Sequence, residues 1–166
     1  MPTLPSALRK RLIALTLAGA GVGAMTAGYT GYFEGDPGHA YTDVAGVPTE
    51  CYGHTGPDVR LGTTQTEAQC QALLQQDLQP AFATLDRTVT VPLTRGQRVA
   101  LASFIYNVGA GNFAHSTLLK KLNAGDITGA CHELERWEYA GGKKWAGLVS
   151  RREADEWLCL NDLPTP

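Results

Sequence analysis

From Thr66 onward, hydrophobic residues recur at helical spacing, and most runs follow a polar residue able to cap a helix. Thr66 with Gln69 matches a capping box and leads into Cys70, Leu73, Leu74, Leu78, Ala81, Phe82 and Leu85. Pro80 lies inside that run and predicts a break, because proline lacks the N–H an interior position needs. Thr94 with Gln97 opens a second run, with Leu101, Phe104, Ile105 and Val108 on one face and Gly109 and Gly111 ending it. Asp126 can cap a third, bearing Ile127, Ala130, Cys131 and Leu134. Ser150 with Glu153 predicts the start of a last helix carrying Ala154, Trp157 and Leu158. Between Gly35 and Thr64 the periodicity disappears. Gly, Pro, Asp and Thr dominate there, and Tyr41 to Tyr52 reads as short strands joined by turns.

The pattern predicts an α+β protein with a mainly helical large lobe (66–160) and a small β-hairpin lobe (34–65). A cleft between two such lobes suits an extended ligand. The tail at 161–166 is expected to be loose.

Residues 1–33 read differently. Arg9, Lys10 and Arg11 precede a run from Leu12 to Phe33 without a charge, and the next charge is Glu34. A bilayer takes about 20 helical residues, so 12–33 is long enough to span one, with its basic end inside. Its apolar content is thin. Leu12, Ile13, Leu15, Leu17, Val22 and Phe33 together contribute only roughly −2 to −4 kcal/mol of insertion. Gly19, Gly21, Gly23, Gly28 and Gly31 add little apolar area. Such a segment could enter the inner membrane and later leave it. Two alternatives stay open: a signal peptide cleaved near Ala18-Gly19-Ala20, with a short apolar core, and a permanent anchor.

Composition narrows the field. A formal net charge of −2, with only short basic clusters, excludes nucleic-acid binding by bulk charge. Cys51, Cys70, Cys131 and Cys159 form no CxxC pair, so no metal site is expected. An even cysteine count behind an export-like N-terminus suggests disulfides. Of the three pairings, Cys51 with Cys70 and Cys131 with Cys159 join the nearest partners; four buried thiols are the alternative.

Two carboxylates in unlike surroundings can break a glycosidic bond, one as acid and one facing the sugar or water. The small lobe and its border offer Glu34, Asp36, Asp43, Glu50 and Asp58. Glu34 follows Phe33, where an apolar surround would favour its protonated form. Asp43 lies in a polar, turn-rich stretch that favours ionisation. Thr49 offers a hydroxyl that can hold a water. Taken by spacing alone, these three residue types occur together in many chains.

The local motifs are more specific. Glu34-Gly35, Ala40-Tyr41-Thr42-Asp43, Gly46-Val47-Pro48-Thr49 and Gly53-His54-Thr55-Gly56 resemble the active-site stretch of phage lysozymes, glycoside hydrolase family 24. Eight residues separate Glu from Asp and five separate Asp from Thr, as in the family pattern. The resemblance continues through Phe104 to Gly111, Ser116 to Leu119, Asn123 to Asp126, Arg136 to Gly142, Gly147-Leu148 and Arg151-Arg152-Glu153, covering about residues 34–159. The glycine-rich N-terminus resembles the signal-anchor-release endolysins.

This resemblance implies a lysozyme-like fold acting on the peptidoglycan glycan strand, with Glu34 as general acid, Asp43 as second carboxylate and Thr49 positioning water. It implies inversion, which needs a carboxylate separation of roughly 6.5–9.5 Å. Gly53 and His54 would line the substrate cleft. The protein would be an exported monomer needing no cofactor, inactive while residues 12–33 hold it in the membrane. Two positions depart from the family: Gly38, where an apolar residue is usual, and Cys51, where many relatives have glycine.

Other candidates have plainer readings. His39, His115 and His132 are expected on the surface, and Trp137, Trp145 and Trp157 mainly in packing. Lys143-Lys144 and Arg151-Arg152 are expected as exposed charge. Gly109-Ala110-Gly111 ends a helix and is no phosphate loop.

Overall fold

The computed structural model describes residues 1–35 and 38–166. Asp36, one of the candidate carboxylates, lies outside the described residues. Two N-terminal helices, α1 (Ser6–Leu17) and α2 (Val22–Glu34), come first. A three-stranded antiparallel sheet follows, in the order β1 (Tyr41–Thr42), β2 (Pro48–Glu50), β3 (His54–Thr55). The large lobe comprises α3 (Glu67–Asp77), α4 (Gln79–Thr88), α5 (Arg95–Val108), α6 (Ala110–Ala114), α7 (Thr117–Asn123), α8 (Ile127–His132) and α9 (Ala146–Asn161). Between α8 and α9 lie a 3-10 helix (Glu133–Trp137) and a small hairpin, β4 (Tyr139–Ala140) and β5 (Lys143–Lys144).

The uncharged N-terminal run is not one helix. Ala18 closes α1 and Gly19 turns left-handed at φ +73°. The N–H of Gly19 bonds the Thr16 carbonyl and that of Ala20 bonds the Leu15 carbonyl, a Schellman ending. The chain then reverses into α2. Among the described residues, no helix is long and apolar enough to cross a membrane.

Both helices are instead built into the core. Leu4, Leu8, Leu12, Met25 and Tyr29 pack with Val99 and Ala100 of α5 and with Ala154 and Leu158 of α9. Close approach depends on glycine. A Cβ on Gly28 would lie 2.5 Å from Leu15 Cδ1, and one on Gly31 would lie 3.1 Å from the Tyr52 ring.

A second cluster fills the far side of α5, where Leu101, Phe104 and Ile105 meet Leu85, Phe113, Leu118, Leu122 and Leu134. A third joins Ala27, Tyr52, Cys70, Leu74 and Leu78, seating the small lobe on α2 and α3. Disulfides join Cys51 to Cys70 and Cys131 to Cys159. The first ties the small lobe to α3, and the second ties α8 to α9. Cys51 has φ +52°, a backbone that favours glycine.

Capping boxes form at Thr66 and Thr94, Asp126 caps α8, and the chain breaks before Pro80. The Ser150 cap does not form. α9 starts five residues earlier, with Trp145 at its N-cap in place of Ser150, and Glu153 accepts a hydrogen bond from Thr3 instead. The β4–β5 hairpin had no counterpart in the hydrophobic pattern. Gly141 and Gly142 both take positive φ at its tip, as a type I′ turn requires. Part of the C-terminal segment, Asp162 to Pro164, is packed on the domain, while Thr165 and Pro166 are exposed. Asp162 Oδ1 accepts the Gly96 N–H at 2.5 Å, Leu163 packs on the N-terminal cluster, and Pro164 is buried.

Candidate active site

Glu34 is the last residue of α2, and Gly35 at φ +68° turns the chain toward the small lobe. The Glu34 side chain is a quarter exposed. Its Oε1 accepts from Arg151 Nη1 at 2.7 Å, so α9 meets the end of α2 through an ion pair. The apolar surround expected from Phe33 is therefore incomplete. The Phe33 ring lies 5.6 Å from the same guanidinium.

Arg151 and Arg152, expected as exposed charge, are 5% and 0% exposed. Arg152 Nη2 donates to Asn107 Oδ1 at 2.9 Å, and its guanidinium lies over Phe104. Arg152 Nε lies 3.1 Å from Asp155 Oδ2, close enough for an ion pair though not aligned for a hydrogen bond. Asp155 Oδ1 accepts from the Tyr29 hydroxyl at 2.7 Å. One sequence signal could have exposed this. Arg151, Ala154 and Leu158 recur at i, i+3 and i+7, which puts Arg151 on the buried stripe.

Asp43 closes β1. Its Oδ1 accepts the N–H groups of Ala45 and Val47 at 2.8 and 2.9 Å, folding the turn that leads into β2. Thr49 pairs with Tyr41 and Thr55 in the sheet, is buried, and donates to the Val47 carbonyl at 3.0 Å. Asp43 and Thr49 thus share one rigid hairpin. Among the described residues, no hydrogen bond joins either of them to Glu34.

His54, expected to line the cleft, is engaged within the chain. Its Nδ1 lies 2.8 Å from Asp77 Oδ2 and its Nε2 3.1 Å from Asp58 Oδ2, so both ring nitrogens face carboxylates of this chain. Burial alone would lower its pKa. The hydrogen bonds and charges of Asp77 and Asp58 outweigh it and raise the ring above its usual range. Gly53 has a backbone role, turning β2 into β3 at φ +87°. Beside it, Tyr106 donates to the Tyr52 carbonyl at 3.2 Å. Burial first, then the charges of Glu34 and Asp77, push the Tyr106 hydroxyl up to about 12.

Glu50, His54 and Asp58 bring ligand atoms within 4.8 Å of one another, but Glu50 Oε2 already accepts from Gln65 and His54 is doubly engaged. His132, though largely exposed, is paired with buried Glu156 at 2.5 Å. His39 bridges to Thr64, and His115 Nδ1 bonds the Gly111 carbonyl.

A cavity of about 530 Å3 opens beside Phe33 and Arg151, walled by Tyr32, Trp145 and Leu148. It shares Ala140 and Leu148 with a cavity of about 330 Å3, which shares Asn112 and Trp137 with one of about 780 Å3. The three form a run of concave surface leading away from Glu34. Trp145 is half exposed along it, while Trp137 packs on Phe104 and Trp157 lies under Arg9.

A helical lobe built around α5, with a small antiparallel sheet following a helix that ends on glutamate, is the architecture of a lysozyme-like glycoside hydrolase. The Phage lysozyme family model matches residues 31–155, and the chain belongs to that family. It is 48% identical to the SAR-endolysin of Escherichia phage Mu over 93% of this chain and 92% of that one. It is 45% identical to the SAR-endolysin of Enterobacteria phage P21, covering 95% and 98%. Among solved structures, a mutant P22 lysozyme superposes with a TM-score of 0.75 at 32% identity, covering 97% of this chain and all of that one.

Proposed function

We propose that this lysozyme is an exported muramidase that hydrolyses the β-1,4 bond between N-acetylmuramic acid and N-acetylglucosamine in peptidoglycan. The observation that carries the reading is Glu34, fixed at the end of α2 by Arg151 beside a run of concave surface. In this reading Glu34 protonates the leaving oxygen. Asp43, held by its own turn, faces the sugar from the small lobe, and Thr49 places the attacking water. The reaction inverts the anomeric carbon, and the protein acts as a monomer.

Residues 12–33 first hold the chain in the inner membrane, facing the periplasm, and then leave. Two magnitudes support this. Insertion is worth only roughly −2 to −4 kcal/mol. Burying Leu8, Leu12 and Met25 against the lobe is worth about 1.5–3 kcal/mol each before ordering costs. The folded state can therefore compete with the bilayer. Because Glu34 ends α2, docking of α2 on α9 is what brings it to Arg151, so the tethered form is inactive.

The test is release of reducing sugar from purified peptidoglycan by the wild type and by Glu34→Gln, with the product anomer followed by NMR. The reading expects an α-anomer from the wild type and loss of activity in a folded Glu34→Gln protein. Substantial activity in that variant would remove Glu34 as the acid. Equal lysis by membrane-held and released protein would remove the switch.

A further inference from the structure

Two contacts join α2 to α9 in antiparallel register. Glu34 meets Arg151 near the rim, and about one turn deeper Tyr29 meets Asp155. Tyr29, Arg152 and Asp155 are all 0% exposed. Buried ionic groups are weak evidence of a stabilising role, because well-packed apolar residues of the same size often serve as well or better. This cluster is also incompletely satisfied. Arg151 Nε, Arg152 Nε and Nη1, Asp155 Oδ2 and, on α2, Thr30 Oγ1 have no hydrogen-bond partner among the described residues. A purely structural clamp would gain by losing such groups.

The charges carry the argument further. Arg151 and Arg152 bring two positive charges under the end of α2, while Glu34 and Asp155 bring two negative ones. They act on one another: burial lowers the Arg152 guanidinium's hold on its proton, Asp155 and Glu34 strengthen it, and Arg151 weakens it. Burial pushes the Asp155 carboxyl up, while Arg152, Arg151 and the Tyr29 hydroxyl pull it down and so favour its charge; with Asp155 ionised, the four groups balance. Without it, Glu34 alone answers the two arginine charges. A general acid must carry its proton to act.

The geometry points to Asp155, held by Tyr29, as a positioning residue that balances the two arginines and so keeps Glu34 able to act as an acid. It touches no substrate and works through Arg152 and Arg151. Tyr29 has a second consequence. It belongs to the uncharged N-terminal run, so Asp155 gains its hydroxyl donor only when α2 is docked. Docking thus supplies the acid and completes its electrostatic setting together. The inference rests on the reading of Glu34 as general acid.

The test is the pH dependence of reducing-sugar release by the full chain, comparing Asp155→Asn, Tyr29→Phe and the double variant Asp155→Asn/Arg152→Gln. The groups facing Glu34 in this experiment are Arg151, Arg152 and Asp155 on α9, Tyr106 on α5 and Tyr29 on α2. Asp155→Asn is expected to move the alkaline limb of the profile down by roughly one pH unit. Tyr29→Phe should move it the same way by less, and the double variant should return it toward wild type.

A merely structural role would lower activity at every pH, and the double variant would be worse than the single. That pattern overturns the proposal, as do unshifted profiles. Should Asp155→Asn fail to fold, the Tyr29→Phe profile decides: a downward shift supports the proposal and an unshifted limb overturns it. Activity in Glu34→Gln would instead overturn the assignment of the acid, and is read separately.

Discussion

Gly28 of α2 packs so tightly on Leu15 of α1 that a Cβ there would fall 2.5 Å from the leucine Cδ1. The glycine that weakens residues 12–33 as a membrane span is thus also the one that lets them fold as two helices. Gly28→Leu therefore acts on both states. It should destabilise the folded enzyme by about 1–3 kcal/mol through overpacking. It also adds a residue favourable to insertion by about 0.3–0.6 kcal/mol. Cell fractionation should show more protein in the membrane, and the soluble fraction should melt earlier. An unchanged distribution and melting temperature would contradict this account.

Asp43 allows charge and turn geometry to be separated. Its Oδ1 accepts two backbone N–H groups, and an asparagine can keep both. Asp43→Asn should preserve the melting temperature while abolishing hydrolysis. Asp43→Ala should also lose the turn, at a cost of about 1 kcal/mol by analogy with lost helix caps. Thermal melts beside reducing-sugar assays make the comparison.

The Cys51–Cys70 bridge closes a loop of sequence separation 19, and Cys131–Cys159 one of 28. Chain-entropy arguments give each about 3 kcal/mol. Replacing Cys51 and Cys70 together by serine should loosen the small lobe first, because they join it to α3. Proteolysis should then cut within residues 39–65 before it cuts the helical lobe.

His54 gives stability a pH dependence. Its folded pKa is raised above the ordinary 6.5 by Asp77 and Asp58, against burial. A raised histidine contributes fully below its unfolded pKa, and the contribution fades as pH rises through the folded value. Asp58 is lowered by the same pairing, so its share is lost only in acid, as pH falls through its depressed value. The stability difference between wild type and His54→Gln should therefore be largest near pH 5–6 and shrink toward pH 9. Denaturant titrations at those pH values would show it, and a constant difference would dismiss the ion-pair explanation.

Local chemistry made much of this molecule legible. Capping boxes at Thr66 and Thr94, the break before Pro80 and the strands around Tyr41 to Glu50 are each fixed within a few residues. The candidate active-site motifs are legible only through resemblance, whereas spacing alone leaves Glu34, Asp43 and Thr49 as ordinary surface groups. What escaped was long-range. Arg151 and Arg152 look exposed until Glu34, Asp155 and Asn107 are brought to them, and His54 looks available until Asp77 arrives from the end of α3. Ser150 looked like a cap because the Trp145 start of α9 depends on the hairpin before it. The N-terminal run read as one span because its length and lack of charge dominate, while Gly19 can both sit in a helix and end one.

The turn at Gly19 also makes the chain its own ruler. In the folded protein a Cβ on Gly28 would lie 3.6 Å from Arg11 Nε. In one continuous helix those positions would stand about 25 Å apart, at 1.5 Å of rise per residue. Probes placed near them on solvent-facing positions would report folding as a collapse in distance. The signal would come from the N-terminal segment itself and would need no substrate, so the proposed departure from the bilayer could be timed separately from the proposed first cut in the wall.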